Sequence, residues 1–195
     1  MSAFTRFLAP KPRLFAALFV VASATYPVWV YFGLREVTPT IIVIVLLALL
    51  LARAFLIRRG AGVPIAPVLL LVAGGVVVLY FVDTMVAVKS YPVLINFGLA
   101  VVFALSLISP PSAIERIARL AEPDLDASGV AYTRKVTWLW LGFFVVNGAV
   151  SAWTALYGSL DQWTVYNGLI SYVLIGVIFV MEYLVRRIVR ARIKA

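Results

Sequence analysis

The sequence predicts an all-α, polytopic membrane protein, and composition and the spacing of apolar runs lead to that prediction. Hydrophobic residues make up 64% of the chain and charged residues 13%, whereas soluble domains have roughly 45–50% and about 25%. The apolar residues fall into six runs, each close to the ~20 residues that a helix needs to cross a bilayer. These runs are residues 14–34, 40–57, 68–88, 92–109, 136–157 and 163–185. We therefore expect a single transmembrane domain over residues 1–195, in which six helices form antiparallel hairpins joined by short outer turns.

The basic residues lie in alternate gaps between these runs. All but Arg35 and Lys89 of the 17 Lys and Arg residues lie before the first run, near the end of the second run or after it, or after the fourth and sixth runs. Because Lys and Arg accumulate in cytoplasmic loops, both termini are predicted to be cytoplasmic. The formal net charge of +9 is spread along the membrane flanks, so the predicted partners are anionic lipid head groups and not nucleic acid.

The residue types that are missing exclude several classes of chemistry. The chain has no Cys and no His, which excludes disulfides, thiol chemistry, a Ser-His-Asp triad and the usual zinc-protease site. It also has no Gly-rich phosphate-binding loop of the nucleotide-binding type. We predict no cofactor, no metal site and no catalytic residue, and intramembrane catalysis stays open as an alternative.

The first apolar run resembles a secretory signal peptide, because it follows basic residues and contains the small triplet at residues 22–24. The run continues past that triplet to residue 34, which makes it long enough to span a membrane. We expect an uncleaved first helix, and the mass of the mature chain would test this expectation.

The longest hydrophilic segment, residues 110–135, is predicted to be cytoplasmic. Ser112 and Glu115 have the spacing of a helix-capping box, and Pro123 marks the end of a short amphipathic helix. Its apolar residues are expected to face the membrane and its charged residues to face away, toward phosphate or a cytoplasmic partner. The candidate contact residues of this segment are Glu115, Arg116, Arg119 and Arg134.

Polar residues inside the apolar runs form a second group of candidates, because a polar side chain in hydrocarbon requires a partner. Asn147 lies in the fifth run among small residues that allow another helix to approach closely. Two interpretations stay open: these residues hold helices together, or they line a polar cavity for a ligand head group. The candidate residues are Asn96, Asn147, Ser151 and Asn167.

Charged and aromatic residues near the ends of the runs are predicted to lie at the membrane interfaces. Glu182 and Arg186 have the i,i+4 spacing of a helical ion pair, and Arg53 is close enough to the end of its run to extend its charge toward water. Trp163 is expected to be an interfacial anchor. The candidate polar residues on the outer side are Asp83, Lys89, Asp161 and Trp163, of which Asp83 and Lys89 either pair or meet water.

An ordered set of motifs between residues 37 and 187 resembles the intracellular septation protein A family of bacterial inner-membrane proteins. The motifs are Lys89-x-x-Pro92-x-x-x-Asn96, Pro111 before Ile114-Glu115-Arg116, Trp140-x-x-Phe143-Phe144 before Gly148, and Asp161-x-Trp163-x-x-Tyr166. The chain departs from that family at Ser151, Val165 and Asn167, where the family often has Asn, Asn and Lys. It therefore looks like a divergent branch, similar to membrane proteins encoded beside aryl-polyene or fatty-acid-like biosynthetic genes.

The resemblance implies a non-catalytic, multi-pass inner-membrane protein. Such a protein supports cell envelope integrity, division or envelope-lipid and polyene biosynthesis through contacts with other inner-membrane proteins. The alternative is a carrier or flippase for lipid-like or aryl-polyene molecules. A continuous polar cavity at Asn96, Asn147 and Asn167 would favour the carrier, and tightly packed small-residue contacts there would favour the scaffold. The sequence leaves the ligand, the partner and the oligomeric state open.

Overall fold

The computed structural model describes residues 25–57 and 65–194, and all the regular structure in these ranges is helical. This result confirms the all-α prediction for the described residues. The helices are α1 (Tyr26–Gly33), α2 (Pro39–Ile57), α3 (Ile65–Tyr80), α4 (Thr84–Ile108), α5 (Ala113–Ala121), α6 (Ala127–Tyr157), α7 (Leu160–Val165) and α8 (Ser171–Lys194). A π-helical segment, Tyr166–Ile170, joins α7 to α8.

Three helical stretches are long and apolar enough to cross a membrane: Thr84–Ile108, Ala127–Tyr157 and Leu160–Ile188. The helices α2 and α3 are also apolar but shorter. Residues 14–24 of the predicted first span lie outside the described residues. Helix α1 belongs to the part of that span that the structure describes. The six-span arrangement therefore stays a prediction.

The connection between α3 and α4 lies earlier in the chain than the apolar runs predicted. The turn comes at residues 81–83, whereas the gap between the two apolar runs is at residues 89–91. Asp83 sets this boundary, because its carboxylate accepts a hydrogen bond of 2.8 Å from the backbone N–H of Val86 and caps α4.

Pro92 lies inside α4, where its missing N–H leaves the carbonyl of Val88 without its helical donor. The hydroxyl of Tyr26 in α1 supplies the replacement and donates to that carbonyl at 2.9 Å. The next carbonyl, that of Lys89, accepts a hydrogen bond of 3.1 Å from the indole N–H of Trp163. Side chains from two other helices thus satisfy the backbone around the proline, as a helix in hydrocarbon requires.

The amphipathic helix α5 forms where the capping pattern predicted it, but its polar face is oriented differently. Glu115 is buried, although it was expected to face away from the rest of the protein. Its carboxylate accepts the backbone N–H of Ser112 at 3.3 Å and pairs with Arg119 at 2.9 Å. These two contacts account for the burial, because they satisfy the charge within the protein.

Helix α5 also docks on the rest of the bundle through its first turn. The backbone N–H of Ala113 donates to Ser106 Oγ at 2.9 Å, and that of Ile114 donates to Thr137 Oγ1 at 3.3 Å. Both N–H groups lie at a helix start, where the helix itself offers no acceptor. Side chains of α4 and α6 therefore fix the position of α5.

Helix α6 begins at Ala127, so the predicted loop of residues 110–135 ends earlier than expected. Asp126 caps this start and accepts hydrogen bonds of 2.8 Å from the backbone N–H of Gly129 and from the hydroxyl of Ser128. These two bonds, the backbone bond first, hold the pKa of the Asp126 carboxyl below its ordinary value.

The core lies where α4 packs against α3 on one side and α6 on the other. The helical stretch Leu160–Ile188, which includes most of α8, extends beyond this core. Of its most apolar residues 6% are buried, compared with 33% for those of α4 and of α6. Its exposed apolar surface suits contact with lipid. The predicted Glu182–Arg186 ion pair is confirmed on this helix, with an N···O distance of 3.5 Å.

Candidate ligand-binding site between the helices

Asn96 and Asn147 meet where α4 crosses α6. The Asn147 amide Nδ2 donates to Asn96 Oδ1 at 3.1 Å, and Asn96 Nδ2 donates to the carbonyl of Pro92 at 2.7 Å. Both side chains are buried. Gly148 allows this approach, because a Cβ at that position would lie only 3.1 Å from Asn96 Cβ. The small residue beside Asn147 therefore allows α4 to approach α6 closely.

Asn147 also binds the last part of the chain. Its Oδ1 accepts hydrogen bonds of 3.0 Å from the hydroxyl of Tyr166 and of 3.0 Å from the hydroxyl of Ser171. These donors stand at the first residue of the π-helical segment and at the residue after it. One buried amide thus links α4, α6 and the start of α8.

Asn167, inside the π-helical segment, forms a neighbouring network. Its Oδ1 accepts a hydrogen bond of 2.7 Å from Ser151 Oγ, and its Nδ2 donates to Thr154 Oγ1 at 3.2 Å. The same Nδ2 donates to the carbonyl of Trp163 at 2.9 Å. Asn167 therefore fixes the π-helical segment against α6 and also satisfies a backbone carbonyl of α7. Short π segments inside α-helices occur frequently at functional sites.

A cavity of about 290 Å³ lies beside these networks and is bounded by residues of α1, α2, α3, α4, α6 and α8. Hydrophobic side chains make up most of its wall, including Val68 and Leu69 of α3 and Phe143 of α6. The strongly polar residues of its lining are Arg53, Asn96, Asn147, Asn167 and Ser171. An apolar wall with a few convergent polar groups is the usual composition of a small-molecule site.

Arg53 is the residue of this lining that the sequence analysis assigned to a membrane interface. It lies on α2, the rest of which is uncharged. The structure places it, half-buried, on the wall of the cavity. Position in the chain could not indicate this, because it depends on how α2 packs against α3 and α4.

The four residues predicted inside the apolar runs thus come together, and the structure adds three to them. Ser151 is fully buried behind the cavity and binds Asn167, whereas Asn96, Asn147 and Asn167 reach the cavity wall. The sequence analysis missed Tyr166, Ser171 and Thr154 as their partners. Spacing was a usable signal for Ser171, since it follows Asn167 by one helical turn.

The four candidate residues on the outer side do not form one site. Lys89 Nζ donates to the carbonyl of Gly158 at 3.3 Å, and Asp83 caps α4. Asp161 is exposed in the first turn of α7. Trp163 is fully buried, so the prediction that it is an interfacial anchor is wrong. The reason is its hydrogen bond to the carbonyl of Lys89, which a tryptophan at the lipid surface could not make.

The candidate residues of the segment predicted to be cytoplasmic mostly hold that segment together. Arg116 Nε donates to the carbonyl of Pro111 at 2.8 Å, and Arg119 Nη1 donates to that of Pro123 at 2.9 Å, in addition to its ion pair with Glu115. Arg134 is exposed on α6. A role of these arginines in binding phosphate or a partner protein stays a prediction.

Comparison of the chain with protein-family models, with curated proteins and with solved structures finds no match. The relationship to the septation protein A family therefore rests on the motifs given above and stays a prediction. The cavity and the buried asparagines are the features from which a function can be inferred.

Proposed function

We propose that this chain is a multi-pass membrane protein that binds a lipid-like molecule in the cavity between its helices and carries it within or across the membrane. The observation that supports the proposal is the composition of the cavity wall, which combines three buried asparagines with a mainly apolar surface. A molecule with a polar head and an apolar chain matches both parts of this wall.

The cost of polar groups in hydrocarbon further supports a ligand-binding role. Arg53, on the cavity wall, lies in an apolar helix, and such residues usually mark a substrate pathway or face a polar cavity. In the proposed arrangement six spans place both termini in the cytoplasm of a bacterial cell, with the protein in the inner membrane. The orientation and the membrane follow from the basic residues and from the family resemblance.

A scaffold role in the cell envelope is the second candidate, and the close contact of Gly148 with Asn96 favours it. The asparagine amides bind one another and nearby hydroxyls, as residues that only hold helices together would. In that case the exposed apolar surface of α8 is available to other membrane proteins. The two candidates differ in whether the cavity is occupied by a lipid-like molecule.

The test is to fill the cavity and to measure the lipid that co-purifies with the intact chain. Ile175 of α8 lines the cavity, and Ile175→Trp should remove bound lipid-like molecules detected by mass spectrometry. Val173 on the same helix is 55% exposed, so Val173→Trp is the matched control and should retain them. Equal lipid content in both variants and in the unmodified chain would contradict the carrier proposal. Co-purifying membrane proteins together with unchanged lipid would favour the scaffold.

A further inference from the structure

Arg53 is the one charged side chain among the described residues that line the cavity. The same described lining contains neither Asp nor Glu. A cationic head group would therefore meet a like charge, which is unfavourable at low dielectric. The charge of the lining favours an anionic ligand.

The asparagines of the lining add hydrogen-bond donors to that charge. The Asn147 Oδ1 already accepts two hydroxyl groups, and the Asn96 Oδ1 accepts the Asn147 amide. Each of their Nδ2 atoms makes one hydrogen bond in the networks described above, although an amide nitrogen carries two hydrogens. The side-chain amides of Asn96 and Asn147 can therefore each donate a further N–H hydrogen bond. Such donors suit the oxygens of a carboxylate or a phosphate.

The apolar wall and the volume limit the rest of the ligand. Val68, Leu69 and Phe143 provide a surface for a hydrocarbon chain. A volume of about 290 Å³ is at the lower end of the range of roughly 300–1,000 Å³ for small-molecule sites. The cavity therefore suits a head group with part of one chain better than the two chains of a complete phospholipid.

We propose that the ligand is a single-chain anionic amphiphile, whose carboxylate or phosphate binds Arg53 and whose chain lies along the wall formed by α3 and α6. This inference rests on the proposed lipid-binding function and specifies its ligand class. Arg53 selects for the charge of the head group, and the apolar wall provides affinity for any chain of suitable length.

The experiment compares four probes with the same chain length on the intact protein in a neutral detergent. The probes are tetradecanoate, tetradecyl phosphate, tetradecanol and tetradecyltrimethylammonium, and binding is measured by native mass spectrometry. We expect the anions to bind about tenfold to a hundredfold more tightly than the alcohol, as a charge-assisted hydrogen bond contributes. The ratio between tetradecanoate and tetradecyl phosphate then identifies the head group.

Three substitutions assign the selectivity to Arg53. Arg53→Gln should reduce binding of the anions to the level of the alcohol and leave the alcohol unchanged, which also shows that the cavity is intact. Arg53→Lys keeps the charge and should retain most of the anion preference. Arg35→Gln removes an exposed positive charge outside the cavity lining and should leave all four affinities unchanged.

The inference is wrong if the unmodified chain binds tetradecanol as tightly as the anions, or if Arg53→Gln and Arg35→Gln have the same effect. Different outcomes decide whether the proposed lipid-binding function is also wrong. If Ile175→Trp reduces binding of every probe while the anion preference is missing, lipid binding stands and the ligand class is wrong. If no probe binds, or if Ile175→Trp changes none of the affinities, lipid binding in the cavity is itself contradicted.

Discussion

The side-chain amide of Asn147 donates a hydrogen bond of 3.1 Å to the side-chain carbonyl of Asn96, across the contact between α6 and α4. The side-chain oxygen Oδ1 of the same Asn147 accepts hydrogen bonds from the hydroxyl groups of Tyr166 and Ser171. The position of α4, the position of α6 and the start of α8 are thus coupled through one buried side chain. The cavity borders this junction, so the geometry of the binding site depends on it.

Asn147→Leu should destabilise the bundle. Leucine cannot bind Asn96, Tyr166 or Ser171, so three polar groups lose a partner. We expect the free energy of unfolding to fall by at least about 2 kcal/mol, since each of the three lost interhelical hydrogen bonds contributes about 0.6–2 kcal/mol in a membrane. The measurement is unfolding by a denaturing detergent in mixed micelles. Val145→Leu is the control on the same helix, because Val145 is 56% exposed and its replacement should change stability little. An equal effect of the two substitutions would show that the junction is not stabilising.

Tyr26→Phe should cost about 1 kcal/mol of unfolding free energy, because it removes the donor to the Val88 carbonyl that Pro92 leaves free. The proline provides an internal test. In a Pro92→Ala background the backbone N–H of residue 92 can bind Val88, so the same Tyr26→Phe substitution should cost clearly less. A double-mutant cycle measured by detergent unfolding gives this coupling. Additive effects of the two substitutions would contradict the replacement of the proline donor by the tyrosine hydroxyl.

Trp163→Phe should also reduce stability by about 1 kcal/mol, because phenylalanine cannot donate to the Lys89 carbonyl. Trp153 is 57% exposed, and Trp153→Phe is the matched control with little expected effect on unfolding. Fluorescence distinguishes the two residues independently. With Trp29, Trp138 and Trp140 replaced by Phe in both proteins, Trp153→Phe leaves Trp163 as the one tryptophan and Trp163→Phe leaves Trp153. A water-soluble quencher should then reduce the Trp163 emission less than the Trp153 emission. Equal quenching of the Trp163 and Trp153 emission would indicate that Trp163 is accessible to the quencher.

The sequence predicted the helical class and the identity of the buried asparagines, but not how they are arranged. Asn96, Asn147 and Asn167 stand out because they interrupt apolar runs, and their burial requires partners. Their pairing depends on helix register and on the π-helical segment, which hydropathy does not encode. Pro92 is the first residue of the fourth apolar run, yet the helix continues through it, because Tyr26, distant in sequence, replaces the missing donor. Arg53 was assigned to an interface because it lies near the end of an apolar run. That position does not indicate which residues of other helices line the cavity with it.

The start of α6 should loosen in acid, because Asp126 caps it more strongly as a carboxylate than as a neutral acid. The hydrogen bonds lower the folded pKa of Asp126 below the ordinary value, which is about 3.9 in an unfolded chain. The stabilisation is therefore complete above that ordinary pKa and is lost as the pH falls through the lower, folded pKa.

Amide hydrogen exchange measures this change as the protection factor of Gly129, which corrects for the intrinsic effect of pH on exchange. We expect protection to be constant from pH 7 down to about 4 and to fall at lower pH. Asp126→Asn should retain part of the cap, since an asparagine oxygen also accepts the Gly129 N–H, and should remove the acid dependence. Asp124→Asn, two residues earlier in the same exposed turn, is the control and should leave the dependence intact. Acid-dependent protection that persists in Asp126→Asn would assign the titration to another group.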